Sequence, residues 1–276
     1  MARERSIAAA QTVPVRGDVA ANTDAHLRLA HLAADEGAAV LVFPELSLTG
    51  YEMDLAEPLA FVPGDPRLAP LVAAAAARGL TLVVGAPVRI DDRLHIGALI
   101  LAPDGTVAVY TKQRLGAFGA GAAVDGTVPP GEATVFAPGR LDPLLRISGH
   151  PMAIGICADT GRPAHPQAAA DRGATTYLAS VFVIPSEFDR EAANMAVYAA
   201  RHRMAVVFAN YGGPSGGLAS AGRSAIWSET GERLVELDRS GAGIAVAVHT
   251  GAGWRARAIM LGGGQPAPPE PRRHAP

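Results

Sequence analysis

The stretch VLVFPELSLTGYE, residues 40–52, carries most of the information about the fold. It opens with consecutive apolar residues, which are typical of a strand buried on both faces. The predicted strand covers residues 38–43 (AAVLVF), and Glu45 follows its Phe-Pro end. A carboxylate is therefore expected just beyond the end of a buried strand.

Two other apolar strands also end in chemically reactive side chains. The predicted strand 106–110 leads into Lys112, and the predicted strand 152–156 leads into Cys157. Because ligands of α/β sheets bind beyond the carboxyl ends of the strands, these two residues and Glu45 could converge on one pocket. They lie far apart in sequence, so only the tertiary fold can bring them together.

Strands and helices alternate along the chain, and this order predicts an α/β sandwich with mixed sheets. Hairpin turns are expected at 103–105 (Pro-Asp-Gly) and 229–231 (Glu-Thr-Gly), and 242–248 is the last predicted strand. The predicted helices are one after Gly17 and those at 66–77, 166–172 and 187–203. No change in composition divides the chain, so residues 1–261 are expected to form a single domain, followed by a Pro/Gly-rich tail at 262–276 that is disordered or wraps a partner.

The composition limits the possible partners. The 276 residues include 24 basic and 26 acidic side chains, and without a long basic stretch nucleic acid is not an expected partner. The apolar stretch 71–88 is broken by charge, glycine and proline, so no membrane association is expected. A single cysteine excludes an internal disulfide, and the N-terminus is a poor signal peptide, so a cytoplasmic location is expected. The histidines are scattered, so neither a metal nor another cofactor is expected.

The sequences around the three reactive residues resemble the catalytic boxes of the nitrilase superfamily of carbon–nitrogen hydrolases. These segments are VLVFPELSLTGYE, VYTKQRL at 109–115 and AIGICAD at 153–159, in the family's order and at roughly its spacing. The resemblance implies Glu45 as proton shuttle, Lys112 as the catalytic cation and Cys157 as the nucleophile. It also implies a four-layer α-β-β-α sandwich with two mixed β-sheets, which assembles as a homodimer or a higher homo-oligomer.

This set of residues suits the cleavage of an amide. A free thiol has a pKa near ~8.5 and is mostly protonated at neutral pH, so a neighbouring ammonium such as Lys112 would favour the thiolate. Lys112 and the backbone N–H of Ala158 would then stabilise the oxyanion of the tetrahedral intermediate. Glu45 would move protons between the thiol, the departing amine and water. The sequence therefore predicts a cysteine-dependent, amidase-type hydrolase that acts on a small linear amide or an N-carbamoyl compound.

Several alternatives remain open at the level of sequence. Taken alone, a cysteine after a strand is usually a small buried residue, and a single glutamate or lysine is usually solvated. The same site could instead hydrolyse nitriles or transfer the acyl group to an amine. A catalytically impaired binding or scaffold protein is also compatible with the sequence, because parts of the chain depart from the family pattern.

One departure concerns a second glutamate that the family often carries between the lysine and the cysteine. The Pro130-Gly131 pair that follows it in relatives is present, but the expected region contains Asp125 in place of a glutamate. Asp125 could substitute with a shorter reach, Glu132 could turn in from beyond the turn, or the carboxylate could be absent.

The candidate substrate-binding residues lie in the boxes and at later strand ends. By resemblance, the loop after the cysteine and the ends of two later strands border the pocket. The candidates are Tyr51, Asp125, Asp159, His165, Phe182 and Asn210. For Phe182 core packing is an equally good interpretation, and for Asn210 a turn is equally good. For His165 a surface or packing role is the more common one. Trp254 and Ile259 could contact a second subunit or belong to the core.

Overall fold

A computed structural model of the chain describes residues 4–119 and 122–262. The strands are β1 Arg5–Gln11, β2 Val40–Val42, β3 Thr81–Ile90, β4 Arg93–Leu101, β5 Val107–Thr111, β6 Leu145–Ile147, β7 His150–Ile156, β8 Thr176–Ser180, β9 Ala205–Ala209, β10 Ala225–Trp227, β11 Arg233–Glu236, β12 Gly243–Thr250 and β13 Gly253–Met260. The helices are α1 Val19–Asp35, α2 Ala69–Arg78, α3 Ala164–Asp171 and α4 Phe188–His202. Residues 263–276, most of the predicted tail, lie outside the described residues.

The strands form two mixed sheets. The first has the order β13-β12-β1-β2-β3-β4-β5, and the second has the order β11-β10-β9-β8-β7-β6. In the first sheet β1, β2 and β3 are parallel neighbours, and in the second sheet β7, β8 and β9 are parallel neighbours. The remaining pairs are antiparallel, as expected for strands that are joined by hairpins.

Side-chain alternation along the strands produces three apolar layers. In β2, Val40 and Val42 point into the core between the sheets, while Leu41 points to the layer beneath α1 and α2. A third cluster, including Tyr177 of β8 and Phe208 of β9, lies between the second sheet and the helices α3 and α4. The architecture is therefore the predicted four-layer α-β-β-α sandwich.

Two antiparallel pairings extend the first sheet beyond the sequence prediction. Strand β3 runs to Ile90 and pairs with β4 through a turn in which Asp91 and Asp92 have φ values of 45° and 57°. Placing the last strand at 242–248 was wrong, because β13 follows β12 and pairs with it from Gly243 to Thr250. Exposed arginines interrupt the apolar pattern of β13, which is acceptable at the edge of a sheet.

The edge strand β13 also accounts for the two residues considered for subunit contact. Trp254 is half-buried within the chain, where its indole N–H donates to Glu229 at 2.9 Å and its ring lies against the Arg5 guanidinium. Ile259 packs against the cluster beneath α1 and α2. Both residues thus have contacts inside the chain. Among the described residues, no helix is both long and apolar enough to cross a lipid bilayer.

Candidate active site

The three reactive residues follow strands of both sheets and meet between them. Glu45 lies three residues beyond β2, and Lys112 follows β5 directly, so both extend from the first sheet. Cys157 follows β7 of the second sheet. The Lys112 ammonium lies 2.6 Å from Glu45 Oε1, and both side chains are fully buried. Cys157 is coupled electrostatically to both of them.

The turn that carries Glu45 is fixed by close backbone packing. A Cβ atom at Gly85 of β3 would lie 2.4 Å from both the Pro44 carbonyl oxygen and the Leu46 nitrogen, so only glycine permits this approach. Leu46 has a left-handed backbone with φ 53°. The Tyr211 hydroxyl donates to the Glu45 carbonyl oxygen at 2.5 Å. These contacts hold the carboxylate in the buried space between the sheets.

A second carboxylate, that of Glu132, completes the surroundings of the lysine. Glu132 Oε1 lies 2.7 Å from Lys112 Nζ, and the side chain is 1% exposed. Its Oε1 also accepts from the Tyr51 hydroxyl at 2.7 Å, and its Oε2 accepts from the Gly116 N–H at 2.7 Å. The ammonium is therefore shared by two buried carboxylates that are themselves held in place.

Asp125 does not take this position, so the suggestion that it replaces the second carboxylate beside Lys112 was wrong. Its side chain is exposed, and its carboxylate accepts from the backbone and hydroxyl of Thr127 at 2.9 and 2.7 Å. An aspartate followed two residues later by threonine forms a local turn of this kind without outside partners. The carboxylate beyond the Pro130-Gly131 pair, Glu132, reaches the lysine instead.

The pKa of Glu45 is raised to about 7 in this buried group of one cation and two anions. Burial is the largest cause, the Lys112 charge opposes it, and the Glu132 charge adds to it. Burial alone would lower the pKa of Lys112, but Glu45, Cys157 and Glu132 raise it, so the lysine stays charged. Glu45 Oε2 is a buried oxygen without a hydrogen-bond partner among the described residues, which leaves it available to accept a proton.

The Cys157 thiol is protonated at neutral pH in this arrangement. Burial raises its pKa well above the ordinary value, the Glu45 charge raises it further, and Lys112 offsets these effects only in part. Lys112 does lower the pKa of the thiol, as expected, but its ammonium is shared by two carboxylates and does not outweigh the effect of burial. The sulfur donates weakly to the Phe182 carbonyl at 3.6 Å. A base must take the proton when the sulfur attacks.

Cys157 occupies a strained turn that Asp159 stabilises. The cysteine has φ 43°, a left-handed conformation that is uncommon outside glycine and that often occurs at functional sites. The buried Asp159 carboxylate accepts from the Ile156 N–H at 3.2 Å and from the Arg114 N–H at 2.8 Å. Asp159 thus joins the nucleophile's turn to the segment after Lys112 and does not line the cavity.

His165 is part of a hydrogen-bond chain behind this turn. The Tyr110 hydroxyl donates to Asp159 at 2.7 Å and lies 2.9 Å from His165 Nε2, and the Tyr177 hydroxyl lies 2.8 Å from His165 Nδ1. Because the single Tyr110 proton goes to Asp159, Nε2 must donate to Tyr110, and Nδ1 of the neutral ring accepts from Tyr177. Burial lowers the pKa of His165, which agrees with a neutral ring. His165 supports Asp159 and lies outside the cavity.

The cavity beside Cys157 has a volume of about 300 Å³, which suits a small ligand. Among the predicted residues, Tyr51, Phe182 and Ala158 line it. Asn210 does not: its buried side chain bonds the backbone of Val183 and Gly222.

Most of the remaining wall was not found from the sequence. Among the residues missed are two arginines, Arg114 and Arg162, and four residues near the start of α4, Glu187, Arg190, Glu191 and Asn194. The four are spaced as i, i+3, i+4 and i+7, which places them on one helical face. This spacing within the predicted helix 187–203 was the one signal that could have revealed them.

The fold agrees with comparisons to known proteins. The family model for carbon-nitrogen hydrolases matches residues 6–256, and the chain belongs to this family. Among solved structures, it is similar to an amidase of the nitrilase superfamily from Nesterenkonia sp. AN1, with 27% sequence identity and a TM-score of 0.76 over 88% of this chain and 89% of that chain. That structure is of a variant showing covalent addition of the acetamide moiety of fluoroacetamide at the active-site cysteine. Another variant of that amidase, similar at 27% identity and TM-score 0.76 over 88% of this chain and 90% of that chain, is in complex with butyramide.

The curated relatives that match this chain are much longer proteins. The glutamine-dependent NAD(+) synthetase of Mycobacterium leprae is 30% identical over 240 residues, which are 81% of this chain and 35% of that protein. The same enzyme of Mycobacterium tuberculosis strain H37Rv is 30% identical over 245 residues, which are 83% of this chain and 36% of that protein. The chain thus spans about a third of the length of these relatives.

Proposed function

We propose that the chain hydrolyses the carbon–nitrogen bond of a small linear amide or N-carbamoyl compound through a thioester on Cys157. The observation that carries the proposal is the buried array of Glu45, Lys112 and Glu132 beside a cysteine that lines a small cavity. Burying a lysine with two carboxylates is costly and adds little to folding stability, so the array is better explained by catalysis.

The first half of the reaction forms the thioester. Glu45 Oε2 accepts the thiol proton as the Cys157 sulfur attacks the amide carbon, and the carbonyl oxygen becomes an oxyanion. The Ala158 N–H and the Lys112 ammonium stabilise that oxyanion. The C–N bond then breaks as protonated Glu45 gives its proton to the nitrogen, so a primary amide releases ammonia.

The second half consumes water and restores the enzyme. Glu45 takes a proton from water, whose oxygen attacks the thioester carbon, and the C–S bond breaks as the sulfur regains a proton. The sum is amide plus water giving a carboxylic acid plus ammonia. Glu132 and Tyr51 hold Lys112 in position throughout, because their mutual hydrogen bond fixes one end of the array.

Three expectations from the sequence also remain proposals. The inter-sheet core, shared by both sheets, supports a single domain over residues 1–261 followed by the tail 262–276. We also propose a cytoplasmic location and a homodimer or higher homo-oligomer. These two are inferred from the sequence and its family resemblance.

A panel of matched compounds tests the function. Purified protein is incubated with butyramide, propylurea and butyronitrile, and ammonia release is measured, with Cys157→Ala as the control. We expect release from butyramide or propylurea and none in the variant. Faster release from butyronitrile would indicate a nitrile hydrolase, and hydroxamate formation that outcompetes acid formation when hydroxylamine is added would indicate an acyltransferase. No release from any compound would favour a binding or scaffold protein.

The role of Glu132 can be tested with Asp125 as its control. Glu132→Gln keeps the shape of the side chain but removes the charge that holds Lys112, so kcat is expected to fall by about 10- to 100-fold, the equivalent of one charged hydrogen bond. Because the Glu132 charge raises the pKa of Glu45, the midpoint of the pH–rate curve should also move below about 7. Asp125→Asn should change neither quantity. If instead only Asp125→Asn lowers activity, the assignment of the second carboxylate is wrong.

A further inference from the structure

Two arginines line the cavity from one side. Arg114 and Arg162 border the same cavity as Cys157, and both side chains are exposed. Their backbones are tied to one residue: the Arg114 N–H donates to Asp159 Oδ1 at 2.8 Å, and the Arg162 N–H donates to the Asp159 carbonyl oxygen at 3.3 Å. Asp159, two residues after the cysteine, therefore places both arginines beside the nucleophile.

Arg114 and Arg162 have no ion-pair partner among the charged side chains that line the cavity. On the helix wall, Arg190 lies 3.1 Å from Glu191 and 3.6 Å from Glu187, so its charge is more than neutralised and this wall has a net charge of −1. Within residues 4–119 and 122–262, no carboxylate forms an ion pair with Arg114 or Arg162. A pair of unpaired guanidinium groups beside a cavity is suited to bind a carboxylate in a forked geometry.

The two ends of the cavity therefore favour different groups. The inner end adjoins Glu45, Lys112 and Glu132, whose combined charge lies between zero and −1 because Glu45 has a pKa of about 7. A carboxylate is disfavoured there, whereas a neutral amide is not. The outer end carries the charges of Arg114 and Arg162 against the one net negative charge of the helix wall, so it stays positive overall. This polarity fixes one orientation, with the amide inside and an anionic group outside.

We infer that Arg114 and Arg162 form a subsite for a substrate carboxylate, so the substrate class is amides that carry a carboxylate at the end remote from the scissile bond. The inference rests on the proposed amide hydrolysis and narrows its substrate. It also explains product release, because hydrolysis places a new carboxylate beside Glu132 and Glu45, where like charges repel it.

Binding can be measured without turnover in the Cys157→Ala variant. Calorimetry compares valeramide (neutral), glutaramate and L-glutamine (each with a remote carboxylate), and 5-aminopentanamide (cationic), all built on a five-carbon chain. We expect the better of the two carboxylate probes to bind at least about tenfold more tightly than valeramide, with 5-aminopentanamide weakest. Raising the salt concentration should reduce the advantage of the carboxylate probe and leave valeramide binding nearly unchanged.

Arginine variants in the same background locate the effect. Combining Arg114→Gln with Arg162→Gln should bring the affinity ratio of carboxylate probe to valeramide close to one. Arg140→Gln, which changes an exposed arginine outside the cavity, should leave the ratio intact. Equal binding of the carboxylate probes and valeramide before any arginine change, or a ratio that survives the double substitution, would overturn the inference.

The two proposals fail in different ways. A charge preference in binding, with no ammonia release from butyramide, glutaramate or L-glutamine by the unsubstituted protein, would refute the proposed hydrolysis and leave the arginine subsite standing. Ammonia release from butyramide without any charge preference in binding would refute the arginine subsite and leave the proposed hydrolysis standing.

Discussion

Replacing Cys157 by alanine is expected to lower kcat/KM for amide hydrolysis by about 10⁴-fold or more, because no other group can form the thioester. Ammonia release from butyramide measures the loss. The cysteine side chain packs at the edge of two apolar clusters, and alanine keeps most of that contact. The thermal unfolding midpoint and butyramide binding should therefore change little. Activity within tenfold of the unsubstituted protein would show that the sulfur is not the nucleophile.

The pH dependence of kcat/KM is expected to report the ionisation of Glu45. Its carboxylate must be ionised to accept the thiol proton, and burial raises its pKa to about 7. Activity should therefore rise with pH through about 7, and at pH 6 only about a tenth of the carboxyl is ionised. Measuring kcat/KM at closely spaced pH values on both sides of pH 7 tests the position of the midpoint.

Glu45→Gln removes this titration while keeping a side chain that can contact Lys112. We expect kcat/KM at pH 8 to fall by about 10²- to 10⁴-fold, the usual contribution of a general acid–base group. The remaining activity should no longer rise through pH 7. Glu57→Gln, which changes an exposed glutamate, serves as the control and should keep the original curve. If the midpoint near 7 persists in Glu45→Gln, another group carries the proton.

The parts of the fold that are encoded locally could be predicted from the sequence. Consecutive apolar residues identify β2 and β7, and a Pro-Asp-Gly turn identifies the β4–β5 hairpin. The β12–β13 hairpin was missed because β13 is an edge strand: its exposed arginines hide the alternation by which strands are recognised. Which side chains of a strand are buried sets the period of its apolar pattern, and this depends on the position of the strand in the whole sheet.

In the site, too, some residues could be predicted from local sequence and others could not. Glu45, Lys112 and Cys157 could be placed together because each follows a strand and lies in a characteristic segment. Glu132 and Asp125 could not be ranked, because the choice depends on the path of the chain after Lys112, and the Gly116 N–H and the Tyr51 hydroxyl fix that path only in the folded protein. The extent to which the thiol pKa rises could not be predicted either, because it depends first on burial and then on the Glu45 charge in the folded protein.

The residues around the cavity were hardest to predict. Asp159 and His165 follow the cysteine closely and were candidates for substrate contact, with a surface or packing role also considered for His165, yet they point behind the turn and support it. Arg114 lies in the segment 109–115 and Arg162 in the loop after the cysteine, but only the folded protein shows that both side chains line the cavity. Sequence proximity to the nucleophile therefore did not indicate which side chains face the ligand.

The most direct test of the thioester mechanism is the intact mass of Glu45→Gln after incubation with butyramide. Slowed attack by water should let the acyl-enzyme accumulate, so we predict a mass increase equal to one butyryl group less one hydrogen, located at Cys157 by peptide mapping. The same treatment of Cys157→Ala should give no adduct. An adduct on any other residue, or turnover of butyramide with no acyl-enzyme detected even after rapid acid quench, would contradict the proposed mechanism.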